Sequence, residues 1–418
     1  MCQNIHASLG VVIVYKYQRL LETTSPAVVS IRMATTDIAF VISGDLHRNI
    51  RALKQIRSLS GGGYSVRVFH LGGGAAKTDL PNSVSEEMVR VPPGRGPLYF
   101  HRLHRSFLKA LSGQSFRLYH ASDLYVLSAC ATSATRNKAL YSFDSREIYS
   151  HVAATVGRPW VRWYWSRLER KLLPGSAGTF TVSDSIADFL AQTYGIKRPA
   201  VVHNVPENNV DVSSALPTAA SKVLAGLGIP NGSTIFVHLG QMKQDRGCER
   251  LIEAMTLVTH AHLVFLGYGP IQPKLEALVS SKQLENRVHF IPPVGPREVQ
   301  DALRGASIGV TMLEDTCLNH RFALPNKLFD YMRAGLPVLS SNLTEVAHVV
   351  HENRIGKTAD PADFRDIASV MTEMMVSPDY LTWSKNASLA SETFSWENAS
   401  QRFMLEMKRI LSQTAPAR

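Results

Sequence analysis

The chain has 418 residues, of which 45% are hydrophobic and 19% charged, a balance that suits folded domains and excludes a disordered or fibrous chain. Its length allows two domains of ordinary size. The formal net charge of +11 is uneven: residues 1–205 carry 25 Lys and Arg against 12 Asp and Glu, or +13, while residues 206–418 carry 20 against 22, or −2.

A basic first half fits an anionic lipid surface or a lipid-linked phosphate. Nucleic acid is the weaker reading, because no zinc-finger spacing and no RNA-binding aromatic signature accompanies the charge. No run of about 20 apolar residues offers a membrane-spanning helix. The four cysteines, Cys2, Cys130, Cys248 and Cys317, stand too far apart for a metal-ligand pair, which points to a reduced, cytoplasmic setting. Residues 9–15 are too short and lack the basic lead-in of a signal peptide. Residues 1–32 therefore read as an N-terminal extension ahead of the fold, with Met33 as the more protein-like start.

In chain order, 37–43 reads as a buried strand, Gly44-Asp45 as a loop and 48–59 as a helix, followed by a strand at 65–71. This βαβ beginning lacks the G-x-G-x-x-G spacing of a dinucleotide fold. A Gly/Pro/Ser-rich stretch at 72–97 contains a short strand near 88–91, and 101–111 forms a basic helix. Strands follow at 118–120, ending in His-Ala-Ser-Asp, and at 139–143, ending in Asp144-Ser145-Arg146-Glu147. Two strands with polar ends point one edge of a parallel sheet at a crevice. The helix at 160–173 mixes Trp160, Trp163, Tyr164 and Trp165 with Arg and Lys, and reads equally as an interfacial helix or as one packed on its own domain. A strand at 178–183, a helix to about 194 and a strand at 200–203 end the first series.

Residues 206–221 are small and polar without periodicity, the best linker in the chain. A second series then runs: strand 234–239, loop 240–247, helix 248–258, strand 262–266, helix 271–280, strand 288–291, helix 296–305, strand 307–312. Within 324–341, Pro325 suits a first helical turn, Gly335 ends the helix and Pro337 follows the glycine. Helices at 362–376 and from 395 to about 411 close the chain. Two alternating series make an α/β protein of two doubly wound domains, 33–205 and 222–385, with 386–418 returning toward the first. The shared cleft is the expected site. Lys327 places a full positive charge at a helix N-terminus, itself an anion site, and Asp330 one turn on is placed for a ribose.

Taken in order, the stretches GDLHRNIRALKQIRSL, YSFDSREIY, TVSDSIADFL with VVHNVP, GQMKQDRGCERLIEA, LVFLGYGP and LPNKLFDYMRAGLPVL resemble the retaining, nucleotide-sugar-dependent glycosyltransferases of family 4, with the two-Rossmann GT-B fold. The resemblance spans about 37–411. It implies that Arg246 and Lys327 meet the donor diphosphate beside Pro325 and Asn326. It further implies that Gly240, Gly267 and Gly269 let the nucleotide approach the backbone, that Pro293 and Val294 lie near the base, and that Asp330 holds the ribose. The acceptor is expected over Gly44, Asp45, Arg48, Arg51, Asp144 and Glu147. No cofactor and no metal are expected, because two fixed cations would do the work of a divalent ion.

Three departures from the family pattern stand out. Phe322 occupies the position eight before Asp330 where a first glutamate belongs. Asp330 is one methylene short of the second glutamate. Arg146 replaces a histidine that touches the reacting sugar, and a guanidinium cannot serve as a base at neutral pH. The expected function is transfer of a sugar to a glycan or lipid-linked acceptor in cell-surface polysaccharide or glycolipid synthesis, with the enzyme peripheral on the inner membrane face. The alternatives are a non-catalytic GT-B protein serving as partner subunit or sugar-nucleotide sensor, an epimerase or phosphorylase of the same architecture, and a binder using the basic half alone.

Overall fold

The computed structural model describes residues 36–74, 78–207, 224, 226–295 and 298–413. The expected extension at 1–32 lies outside them, as does nearly all of the linker.

The first series builds a seven-stranded parallel sheet from β1 (Ile38–Ile42), β2 (Val66–His70), β3 (Val84–Met88), β4 (Leu118–Ala121), β5 (Leu140–Ser145), β6 (Gly178–Thr181) and β7 (Ala200–Val201). Its order is β3-β2-β1-β4-β5-β6-β7. The second series builds a six-stranded parallel sheet from β8 (Thr234–Leu239), β9 (Ala261–Leu266), β10 (Val288–Ile291), β11 (Ile308–Thr311), β12 (Val338–Ser341) and β13 (Gly356–Ala359), ordered β10-β9-β8-β11-β12-β13. The central strands are buried throughout, as the IAFVI of β1 and the IGVT of β11 require. In each sheet the order reverses beside its first strand, between β1 and β4 and between β8 and β11. Those reversals open crevices at the carboxyl ends of the strands.

Several elements differ from the sequence reading. The basic helix runs Gly96–Ala110, five residues earlier than expected, because Pro97 supplies a helix start. The edge strand β3 precedes its expected place. Helices Leu318–Arg321, Thr344–Glu352 and Tyr380–Thr393 and strand β13 were not read from the sequence at all. Pro325 is the N-cap, with extended φ −69° and ψ 134°, and the helix proper is Asn326–Arg333. In helix Pro159–Leu172, Trp165 is buried against Phe100 and Tyr125, whereas Trp160, Trp163 and Tyr164 face solvent.

The last helix, Trp396–Leu411, crosses back to the first sheet. Phe403 is fully buried against Phe180 and His120, and Arg409 Nη2 donates to Ala177 O at 2.9 Å. Side chains also join the two halves across the cleft. The Glu345 carboxylate accepts the backbone N–H groups of Asp184 and Ser185 at 3.1 and 3.0 Å, capping helix Asp184–Tyr194 from the other half. Asn319 Oδ1 accepts Ile148 N–H at 2.8 Å, and Ser183 Oγ donates to Phe322 O at 2.7 Å. Among the described residues no helix is long and apolar enough to cross a membrane.

Candidate active site

Two loops at the carboxyl end of the second sheet set the site. Residues 240–247 follow β8, and residues 267–270 follow β9. They are held together by Met242 N–H donating to Tyr268 O at 2.9 Å and Gly240 N–H donating to Leu266 O at 2.8 Å. Gly267 and Gly269 are explained by this contact. A Cβ on Gly267 would stand 2.1 Å from Gly240 O, and one on Gly269 would stand 1.8 Å from Met242 O. Packing between the loops by itself requires glycine at both positions. Gly240 itself has φ 104°, open to glycine and strained for other residues.

Lys327, in the first turn of helix Asn326–Arg333, reaches back to β8, where Nζ lies 2.9 Å from His238 Nε2. His238 is fully buried, and burial with the nearby charge of Lys327 holds its imidazole well below the usual pKa. A neutral ring with Nε2 unprotonated accepts the ammonium N–H, so His238 aims the lysine. Burial also lowers the Lys327 pKa to about 7, with Arg246 adding repulsion against the pull of Cys248 and Asp330. The sequence signal for His238 was one histidine in an otherwise apolar strand two residues before Gly240, and it was missed.

Arg246 is half-buried at the end of the same loop. It has no ion pair or side-chain hydrogen bond among the described residues, yet its charge acts on Lys327, His238 and Glu147. Two cations thus converge beside a helix N-terminus with no carboxylate bound to either, an arrangement suited to a diphosphate. Asp330 lies one turn beyond Lys327. Burial raises its pKa to about 7, against the charges of Arg333, Lys54 and Lys327. Asn326 Oδ1 accepts a bond from Asn204 Nδ2 at 3.1 Å, so part of its capacity goes to the first half. Pro293 is exposed on the loop after β10, while Val294 packs on the core.

The first sheet contributes differently from expectation. Arg51 and Asp144 were read as acceptor contacts, but they are spent on each other. Arg51 is 3% exposed and Asp144 fully buried. Nε and Nη2 of Arg51 donate to the two carboxylate oxygens at 2.8 and 2.9 Å, and Arg51 Nη1 donates to Val202 O at 2.7 Å. Gln55 adds a bond to Asp144 at 3.0 Å. Burial disfavours the Asp144 carboxylate, and the Arg51 guanidinium outweighs it, holding the pKa well below the carboxylate range. The pair joins the first helix to the end of its sheet and leaves neither group for a ligand.

His120 likewise turns into the core, hydrogen-bonding Ser142 Oγ at 2.8 Å, and Asp123 caps its helix while accepting Ser43 N–H. Asp45 Oδ1 accepts His47 N–H at 3.0 Å and caps a short turn, Gly44 faces open space, and Arg48 is exposed. Arg146 donates to Asn49 Oδ1 at 3.1 Å and its Nε lies 3.7 Å from the Asp144 carboxylate, while its Nη2 is buried without a hydrogen-bond partner. Glu147 stands among the charges of Arg246, Arg146 and Lys243. Glu147 is thus a first-half residue that feels the cations of the second.

Phe322 packs against the core of the first half. At this position hydrophobic contact between the halves replaces the family's carboxylate.

His47, His70 and Glu86 bring three possible ligand atoms within 4.8 Å of one another. The His47 Nδ1 accepts Thr78 N–H at 3.0 Å, which puts the ring proton on Nε2, 3.1 Å from Glu86 Oε2. With that tautomer Nε2 has no lone pair for a metal, so the cluster is a close contact of two imidazoles with one carboxylate.

Two parallel sheets with facing crevices and paired cations at one of them define the GT-B class of nucleotide-dependent transferases. The model of Glycosyltransferase Family 4 matches residues 49–205, and that of Glycosyl transferases group 1 matches residues 233–376. The chain belongs to the family 4 type of glycosyltransferase. It is 24% identical over 349 residues to a D-inositol 3-phosphate glycosyltransferase of Streptomyces avermitilis, covering 78% of this chain and 70% of that protein. Sucrose-phosphate synthase from Thermosynechococcus elongatus superposes with TM-score 0.76 at 14% identity, covering 90% of this chain and 99% of the other. HepE of Anabaena in complex with UDP-glucose superposes with TM-score 0.69 at 16% identity, covering 89% and 99%.

Proposed function

We propose that the chain is a retaining glycosyltransferase that takes its sugar from a nucleoside diphosphate sugar and passes it to a glycan or lipid-linked acceptor, in cell-surface polysaccharide or glycolipid synthesis. The observation that carries this reading is the convergence of Arg246 and Lys327, neither paired with an acid, at the start of helix Asn326–Arg333. Bond cleavage at the sugar places negative charge on the departing diphosphate, and fixed cations at that point stabilise the transition state more than the ground state. The departing phosphate oxygen takes the acceptor proton on the face it leaves, which retains configuration and needs no protein base. Arg146, whose Nη2 has no hydrogen-bond partner while its Nε stands 3.7 Å from the Asp144 carboxylate, supports the diphosphate or an acidic acceptor from the opposite side. Asp330 accepts hydrogen bonds from the ribose. Two fixed cations take the place of a divalent metal at the leaving group, so no metal or other cofactor is used.

The HepE neighbour was crystallised with UDP-glucose, which favours a uridine nucleotide as the first donor to try. The acceptor lies toward Gly44, Asp45, Arg48 and Glu147, with the enzyme peripheral on the cytoplasmic membrane face. The test is the anomeric proton coupling of the product. The same configuration as the donor supports the reading, and inversion overturns its retaining part. One observation favours a second reading, a non-catalytic sugar-nucleotide sensor: Phe322 and Arg146 stand where the family pattern has a glutamate and a histidine. Nucleotide-sugar binding with no turnover in any acceptor mixture would select it.

A further inference from the structure

A cavity of about 420 Å³ lies between residues 151–162 of the first half and residues 316–318 of the second. Its second-half wall leads along the chain toward the site. His320, two residues beyond Leu318, feels the charge of Arg246, and Asn319 binds the backbone of Ile148 next to Glu147. Val156, Pro159 and Leu318 give the cavity apolar walls, and Arg158 and Arg162 stand at its edge.

Arg158 caps helix Pro159–Leu172 and Arg162 lies in its first turn, and both line the same cavity. Among the described residues neither has an ion pair or a side-chain hydrogen bond. The titratable group lining the cavity beside them is His151, whose pKa is lowered by burial and by Arg162, so it adds no charge that would neutralise them. Two guanidiniums over apolar walls, with no carboxylate to neutralise them, match an anionic group carried on an apolar body.

The outer surface of the same helix continues the pattern. Trp160 and Trp163 are each 62% exposed, and Tyr164 adds a third ring. Exposed Trp and Tyr beside Arg are the side chains that settle at the headgroup level of a bilayer.

We propose that this cavity takes the phosphate of a lipid-linked acceptor between Arg158 and Arg162 while the Trp160, Trp163 and Tyr164 face rests in the bilayer that holds the acceptor's chain. The proposal rests on the transferase reading above and names the substrate class of its acceptor side. The carrier commits to the membrane: a water-soluble phosphate ester has no use for three exposed rings beside its site.

The experiment is flotation of the full chain with phosphatidylcholine vesicles containing either a polyprenyl monophosphate or an equal charge of phosphatidylserine. A soluble hexose phosphate serves as competitor. Wild type should prefer the polyprenyl phosphate vesicles by about tenfold or more, the worth of one charge-assisted contact. R158A/R162A should lose that preference, and W160A/W163A should bind both vesicle types more weakly. Equal binding of wild type to both lipids overturns the proposal, as does a preference that survives in R158A/R162A. Full displacement by the soluble phosphate, with W160A/W163A binding like wild type, overturns the lipid source. The thermal shift with nucleotide diphosphates, run on the same samples, separates the failures. A retained shift without lipid preference sinks this inference alone, and no shift in wild type sinks the donor reading beneath it.

Discussion

Replacing Lys327 with methionine removes the ammonium held 2.9 Å from His238 Nε2 and keeps most of the side chain's volume. A charge-assisted contact is worth about 1.5–3 kcal/mol, which is about 10–150-fold in Kd. Nucleotide diphosphate at about 100 times its Kd stabilises the wild type by about 2.7 kcal/mol. With Kd raised about 100-fold the same concentration only equals Kd, and the stabilisation falls to about 0.4 kcal/mol. At about 2–4 °C per kcal/mol for a cooperative unit of 150–250 residues, a shift of about 5–10 °C should shrink to about 1 °C. The assay is thermal unfolding with UDP, GDP and ADP, reading the ligand-induced difference so that any change in the unliganded protein cancels. A Lys327→Met variant with the full wild-type shift would refute the assignment of this lysine to the diphosphate.

The lysine's pKa of about 7 makes donor binding pH-dependent. The free protein loses the ammonium proton as pH rises through about 7, and binding an anion must then restore it. Nucleotide affinity should therefore fall by up to about tenfold per pH unit above 7. Lys327→Arg, always charged, should flatten that profile in calorimetric titrations. His238→Phe, which removes the acceptor that aims Lys327, should weaken nucleotide binding by about 3–10-fold, with His238→Gln closer to wild type; equal affinities would show that the contact positions nothing. Arg51→Ala removes the bidentate partner of the buried Asp144 carboxylate, leaving it only Gln55 and the more distant Arg146, and should cost about 3–5 kcal/mol in denaturant unfolding. Phe403→Ala should cost about 3–5 kcal/mol by emptying the contact between the last helix and the first sheet.

The parallel sheets were legible because buried strands read as apolar runs and Gly and Pro punctuate the loops. The helix Asn326–Arg333 was legible for the same reason, lying between Pro325 and Gly335. Helix Tyr380–Thr393 escaped notice because its sequence is rich in Ser, Thr and Asn, and it buries only Trp383, Ala387 and Ala390. Those small residues pack well but give a weak periodic signal.

Within the site, Lys327 and Arg246 could be placed from local chain and resemblance, since each sits on a loop or helix end whose geometry the neighbouring residues dictate. Arg51 and Asp144 could not. A sequence shows two charges 93 positions apart in the chain but not that they are 2.8 Å apart in space. His238 was hidden in the opposite way, because a lone histidine in a strand is ordinarily core, and its function comes only from the lysine that folds back onto it.

The most direct test of the account is the rate of nucleoside diphosphate release from UDP-, GDP- and ADP-sugars, measured with a chelator present, in wild type and in Arg246→Ala. The account predicts release from one donor at a rate the chelator does not change, and a loss on the order of 10²–10³-fold in the variant, as for removal of one preorganised donor. Equal rates in the two proteins, or a rate abolished by the chelator, would contradict it.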